Sequence, residues 1–254
     1  MTFPPAPDGL FLAAYWTRAG ESVEDVAGRL SRFLGSIAGL DPSLTSWFRA
    51  TNPGRGELVD STPGGLAAMW EAAWAQPHVD RDLGRLLGVA VALSTSPGDD
   101  DDAIGLTMRA GGRSSGVQDV ARSYCMLRTS STPSRPSPVL RRDVALDLMR
   151  IMVECWQPAW CTWSSRRLQT SQGWVEGGVI AGWATYLAGP SGVRSRRLPA
   201  GVGAEVLPGG VLVVADGDPD AVTATAVSEV KATLAWSRRP ALRYPFGHRP
   251  AHGL

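Results

Sequence analysis

Apolar residues recur along this chain in two rhythms. In the stretch ESVEDVAGRLSRFLGSIAGLDP, Val23, Val26, Leu30, Phe33, Leu34 and Ile37 fall three and four positions apart, which makes one face of a helix turned toward a core. Ser22 and Asp25 fit a capping box at its start, and Pro42 closes the segment. The run from Leu10 to Trp16 is apolar throughout and short, and it predicts a strand. PGGLAAMWEAAWA predicts a second, shorter helix near residues 63–75, followed by three strands at Leu86–Ser94, Ala103–Ala110 and Asp119–Leu127. Between the first two of these lies TSPGDDDD, in which proline, glycine and four aspartates cannot extend a paired strand, so a hairpin loop is expected.

The second half repeats the alternation of helix and strand. RTSSTPSRPSP, residues 128–138, is rich in serine and proline and reads either as a linker between two subdomains or as a surface loop within one domain. Ser137 as N-cap and Pro138 in the first turn predict a helix running to Glu154, with Val144, Leu148, Ile151 and Met152 buried. GVIAGWATYLAG reads as a buried strand, and AEVLPGGVLVVA as a hairpin turning at Gly209 and Gly210. The last helix is expected in DPDAVTATAVSEVKATLAW, with Asp218 as its cap and Pro219 at its first position. These elements predict an α+β protein, its sheet mainly antiparallel and its helices packed on one face. The divisions expected are an N-terminal subdomain over 1–128, the linker or loop over 129–138, a C-terminal subdomain over 139–236 and an irregular tail over 237–254.

Composition narrows the function classes. With 44% hydrophobic and 19% charged residues the chain is an ordinary globular one, and no stretch approaches the roughly 20 apolar residues that span a bilayer. The amino terminus lacks a basic region and a small-residue cleavage pattern, and the three cysteines do not make a secreted disulfide framework, so a cytoplasmic protein is expected. The formal net charge is only +1, from −5 over residues 1–127 and +6 over 128–254, which argues against a general nucleic-acid binder.

Candidate chemistry is sparse. The three histidines, His78, His248 and His252, show no metal-ligand spacing, and no GxSxG, Walker or GxGxxG motif is present. AGGRSSG, residues 110–116, reads as a plain loop, or as a phosphate cradle formed by its backbone N–H groups. Asp99, Asp100, Asp101 and Asp102 admit three readings: a solvated loop, a contact with a basic partner, or a divalent-cation site that lacks the alternation and glycine of a calcium loop. In ECWQPAWCTWSS, Cys155 and Cys161 are separated more widely than in CxxC, and Pro158 lies between them. They are expected on different elements, as small apolar core groups among Trp156, Trp160 and Trp163, with Trp160 starting a strand.

AAYWTRAGESVEDVAGRLSRFLGSIAGLDPSLTSWFR, from Ala13 to Arg49, resembles the immunity protein 52 family of bacterial polymorphic toxin systems: a YWG-like strand end, an E-S-x-E helix start, a D-P and a W-[FY]-R. Thr17 stands where the pattern has glycine. LGVAVALSTSP, AGGRSSG, the W-x-P-x-W of Trp156 to Trp160, AGWATYLAG and PGGVLVVADGDPD extend the resemblance in order along the chain. The resemblance implies an α+β protein that binds and neutralises a co-encoded toxin, often a nuclease of the restriction-endonuclease fold delivered by type VI secretion. It implies no catalytic residues, metal or cofactor. The expected partner is then the cognate toxin rather than nucleic acid or membrane. The surface that meets it is assigned to Asp99 to Asp102, because a nuclease surface that tracks phosphates is basic. Two alternatives stand beside this reading: a small cytoplasmic enzyme with dispersed acidic residues, and a nucleic-acid binder using the Arg pairs at 166–167, 196–197 and 238–239.

Overall fold

The computed structural model describes residues 9–18, 20–51, 55–75, 88–98, 100–112, 123–130, 137–172, 179–189 and 198–235. Their strands are β1 (Leu10–Trp16), β2 (Phe48–Thr51), β3 (Arg55–Leu58), β4 (Val89–Ser94), β5 (Gly105–Ala110), β6 (Ser123–Arg128), β7 (Trp160–Ser165), β8 (Ala184–Ala188), β9 (Val202–Leu207) and β10 (Gly210–Ala215). The helices are α1 (Val23–Ala38), α2 (Pro63–Trp74), α3 (Arg142–Trp156), α4 (Arg166–Ser171) and α5 (Ala224–Ala235). All ten strands form one sheet in the order β3-β2-β4-β5-β6-β1-β7-β8-β10-β9, and every pairing is antiparallel. This is the α+β architecture expected from the sequence.

β1 sits inside the sheet, pairing β6 on one edge and β7 on the other. Its lack of charge suits that place, since Leu12, Ala13 and Ala14 are fully buried. On one face, Leu12, Ala14 and Trp16 join the inward residues of β4 to β6 under α1, α2 and α3 in a single core. In β4, β5 and β6 buried residues alternate with more exposed ones, so that Val91, Met108 and Cys125 point inward while Ala92, Thr107 and Met126 point away.

α1 carries the capping box expected of Ser22 and Asp25: Asp25 N–H donates to the Ser22 hydroxyl at 3.1 Å, and the Ser22 N–H donates to the Asp25 carboxylate. The start of α3 differs from expectation. Pro138–Leu140 form a separate 3₁₀ turn, the Ser137 hydroxyl has no partner among the described residues, and the helix begins at Arg142. Its first N–H, that of Arg142, donates to the Asp218 carboxylate at 3.1 Å. Asp218 therefore caps α3 and makes no side-chain cap to the 3₁₀ turn Pro219–Ala221, while α5 starts beyond it, with the Ala226 N–H on the Thr223 hydroxyl. A carboxylate at the positive end of a helix is favourable whichever segment supplies it. Of the serine- and proline-rich stretch, residues 131–136 lie outside the described residues, as does the tail beyond 235.

Two glycines mark close approaches. A Cβ on Gly56 would lie 2.7 Å from the Pro97 Cα, where the Gly56 N–H donates to the Pro97 carbonyl at 2.6 Å and pins the β4–β5 loop to β3. A Cβ on Gly182 would fall on the Trp163 carbonyl oxygen and 2.6 Å from the Thr162 hydroxyl. Neither neighbour can retreat, because both belong to the paired strand β7. Gly182→Ala is accordingly expected to destabilise the protein by about 3 kcal/mol, lowering the melting temperature by roughly 6–12 °C. Gly98→Ala, with nothing within 4 Å of its Cβ, is expected to leave the thermal melt close to that of the parent.

Candidate functional site

The end of β1 and the turn between α3 and β7 meet in a double aromatic stack. Consecutive strand residues point to opposite faces, so Tyr15 and Trp16 emerge on opposite sides of the sheet. Tyr15 is the register partner of Trp160 and stacks on it with centroids 4.0 Å apart and planes at 18°. Trp16 stacks on Trp156 at 4.8 Å and 17° on the helical side, with Phe33 tilted against Trp156 at 5.9 Å. The turn that allows both contacts is made by Gln157, whose φ of 45° ends α3 in the left-handed region. Beyond Pro158, the Ala159 N–H donates to the Tyr15 carbonyl at 2.8 Å and begins the pairing of β7 with β1.

On the helical side a charged cluster closes over the stack. Glu21, only 5% exposed, accepts from the Trp16 indole N–H at 3.2 Å and from Arg29, and Arg18 stands 3.5 Å away. The Arg29 guanidinium lies over the rings of Trp16 and Trp156, 5.6 and 5.3 Å from their centroids. Such a cation gains more from the ring faces when it is shielded from water. Burial draws the Arg29 pKa below its ordinary value, and the charge of Glu21 opposes that shift. One guanidinium nitrogen of Arg29, Nη1, is buried without a partner. Arg18 reaches back to the Gln157 side-chain carbonyl at 3.0 Å and so joins the cluster to the α3–β7 turn.

These groups border a cleft of about 480 Å³ lined by Arg18, Glu21, Glu24, Asp25, Gly28, Arg29 and Arg32. Its cations and carboxylates are equal in number, and its lining has no histidine, cysteine or hydroxyl. The arrangement supplies ion pairs and ring faces, which suit holding a surface in place.

The aspartates picked out in the sequence lie elsewhere. Asp99 is outside the described residues; Asp100 and Asp101 are exposed and Asp102 half-buried in the β4–β5 hairpin. The Asp102 N–H donates to the Asp100 carboxylate at 2.9 Å, and the Ala103 N–H to the Asp100 carbonyl at 3.0 Å, so the loop folds on itself. Among the described residues no group of three His, Cys, Asp or Glu is placed to hold a metal ion.

Cys155 and Cys161 fall on α3 and β7, and both, like Cys125, are free and buried. Burial raises all three thiols, Cys155 to about 11, which keeps them protonated near neutral pH. Residues 113–116 of the Gly/Ser loop, the three histidines and the Arg pairs at 196–197 and 238–239 lie outside the described residues, while Arg166 and Arg167 open α4. Arg29 was not singled out in the sequence. Its signal was present, since it occupies the apolar stripe of α1 between Val26 and Phe33, where an arginine must find a partner.

Residues 8–232 match a family model described as Immunity protein 52. No curated protein matches in sequence. Among solved structures, a T6SS protein of Pseudomonas aeruginosa is similar in fold at a TM-score of 0.50 and 15% identity, over 91% of this chain and 73% of that one.

The Glu21–Arg29 pair is expected to behave as a unit. Glu21→Ala, which strands a buried cation, should cost about 3–5 kcal/mol in urea unfolding. Adding Arg29→Met to Glu21→Ala should recover more than half of that loss. Additive effects in the double-mutant cycle would show that the two side chains are not coupled.

Proposed function

This chain belongs to the immunity protein 52 family, and on that premise we propose that it binds and neutralises a co-encoded bacterial toxin. The match over residues 8–232 carries the proposal, because it takes in the whole sheet and all three helices of its covered face. Neutralisation is by contact rather than by turnover. That reading is supported by the chemistry of the cleft, where Glu21 is held in an ion pair with Arg29 and no hydroxyl, thiol or histidine stands among the lining residues. The toxin we infer is a nuclease effector of a type VI secretion system, and the fold shared with a T6SS protein supports that setting. A nuclease acts where DNA is, so we assign the complex to the cytoplasm; no helix among the described residues is long and apolar enough to cross a membrane.

An immunity protein has to capture its toxin almost completely, and nanomolar affinity corresponds to about 12 kcal/mol. Co-expression with the neighbouring toxin gene is expected to restore growth, and the two proteins should co-purify. Continued killing in cells that accumulate the folded chain would refute the proposal.

Asp99 to Asp102 are proposed as an electrostatic contact at the rim of the complex. With Asp100 and Asp101 exposed on a hairpin tip, their main effect should be on the association rate. Changing all four aspartates to Ser is expected to slow association about tenfold at low salt and to flatten its salt dependence. An unchanged association rate and salt slope in the tetra-substituted chain would remove the hairpin from the interface.

A further inference from the structure

The face of the sheet turned away from α1, α2 and α3 is open over β2 to β6 and closes at β1, where Phe11 and Ala13 are buried. The register lines up Ala90, Arg109, Tyr124 and Tyr15 in one row across β4, β5, β6 and β1, with Trp160 of β7 stacked at its end. The adjoining row contains Ala92, Thr107 and Met126. Ala90 and Ala92 are exposed, Arg109, Tyr124 and Met126 are half-buried, as is Thr107, whose hydroxyl is covered, and Leu58, on the same face of edge strand β3, is 63% exposed. Exposed and half-buried small and apolar side chains that follow one another across β4, β5 and β6 are unlike the scattered exposure usual on a monomer. Tyr124 also lies against Tyr15, with centroids 6.4 Å apart, so the rings form a supported row. Aromatic anchors with few rotatable bonds lose little entropy on binding.

Charge decides which partner fits. Among the described residues of β1 to β6 that point to this face, the ionisable groups of fixed sign are Arg109 and Arg128, and none is Asp or Glu. No salt bridge is formed by either arginine among the described residues; Arg128 Nε lies 3.0 Å from the Met126 sulfur. Two copies of this chain face to face would oppose arginine to arginine across an apolar layer, with no carboxylate to offset the desolvation. A surface that presents carboxylates set among apolar side chains has the complementary charge.

We infer that the open face of β2 to β6 is the docking surface for the toxin, and that the toxin meets it with carboxylates placed opposite Arg109 and Arg128. This rests on the immunity reading above. It adds a surface distinct from the acidic hairpin, which lies at the end of β4 and β5. The two fit one partner whose centre is acidic and whose rim is basic, as in a nuclease that holds a divalent metal within a phosphate-binding groove.

The test measures binding of the purified toxin encoded beside this chain to the parent protein and to four variants, each with its melting temperature. Ala92→Glu puts bulk and the wrong charge at the middle of the face, Arg109→Glu reverses its central cation, and Tyr124→Ala removes an anchor. Glu71→Lys, exposed on α2 on the helical side, is the control. Ala92→Glu and Arg109→Glu are each expected to weaken binding by at least about thirtyfold, the scale of a hot-spot contact. Tyr124→Ala is expected to weaken it about tenfold, with some loss of stability from its contact with Tyr15, and Glu71→Lys not at all, while the melting temperatures of Ala92→Glu, Arg109→Glu and Glu71→Lys should stay close to that of the parent. If the parent does not bind the toxin, the immunity reading fails and this proposal with it. If the parent binds and all three face variants bind equally well, the docking surface is wrong while the immunity reading stands. A parent that dimerises by itself, and becomes monomeric on Ala92→Glu, would assign the face to a second copy and overturn the proposal.

Discussion

The placement of β1 between β6 and β7 is the constraint on which the remaining structure depends. A strand presents N–H and C=O groups along both edges, and in a buried strand each of these must be paired. Here β6, from the first half of the chain, satisfies one edge, and β7, from the second half, satisfies the other. The segment LFLAAYW has no charged side chain to set against solvent, and its central residues have no exposure on either face. Ten strands therefore form one surface because a single apolar strand needs neighbours on both sides. The pairing of β1 with β7 joins segments far apart in the chain, a topology expected to fold slowly for its size.

The helical layer is then fixed at its margins by polar contacts. Asp218 accepts the first N–H of α3, Arg150 of α3 forms two hydrogen bonds to Glu205 of β9, and Glu21 holds Arg29 against the tryptophan stack. These contacts tie α3 to β9 and to the loop after β10, and α1 to the central strand β1. The face that remains open is thereby carried on strands rather than on loops. A rigid platform loses less entropy when it captures a partner, which suits a protein whose work is tight binding.

The aromatic junction links architecture to family membership. Tyr15 and Trp16 are adjacent in sequence but divide between the two faces, and Trp160 and Trp156 come from opposite ends of one turn to meet them. The residues by which the chain resembles its family near β1 and near the α3–β7 turn are thus halves of one structural unit. Their pairing explains why tryptophans cluster around Pro158 and why the neighbouring cysteines behave as buried apolar groups.

Local pattern carried a good deal of this protein. The bounds of β1, the capping box and buried stripe of α1, the β9–β10 hairpin and the separation of Cys155 from Cys161 follow from spacing over a few residues, although Gly210, expected in the hairpin turn with Gly209, pairs with Leu207 in the ladder. Three elements escaped it. β2 and β3 are four residues each with little alternation, and α4 spans six residues, so none supplies enough periods to be recognised. Asp218 looked like the cap of the helix that follows it, and only folding brought it to α3. Strand order, the convergence of the two aromatic motifs and the open arginine-bearing face were likewise decided in three dimensions. Periodicity determines which side of a strand is apolar, whereas the choice of neighbouring strand depends on register between segments that touch only after the chain has folded.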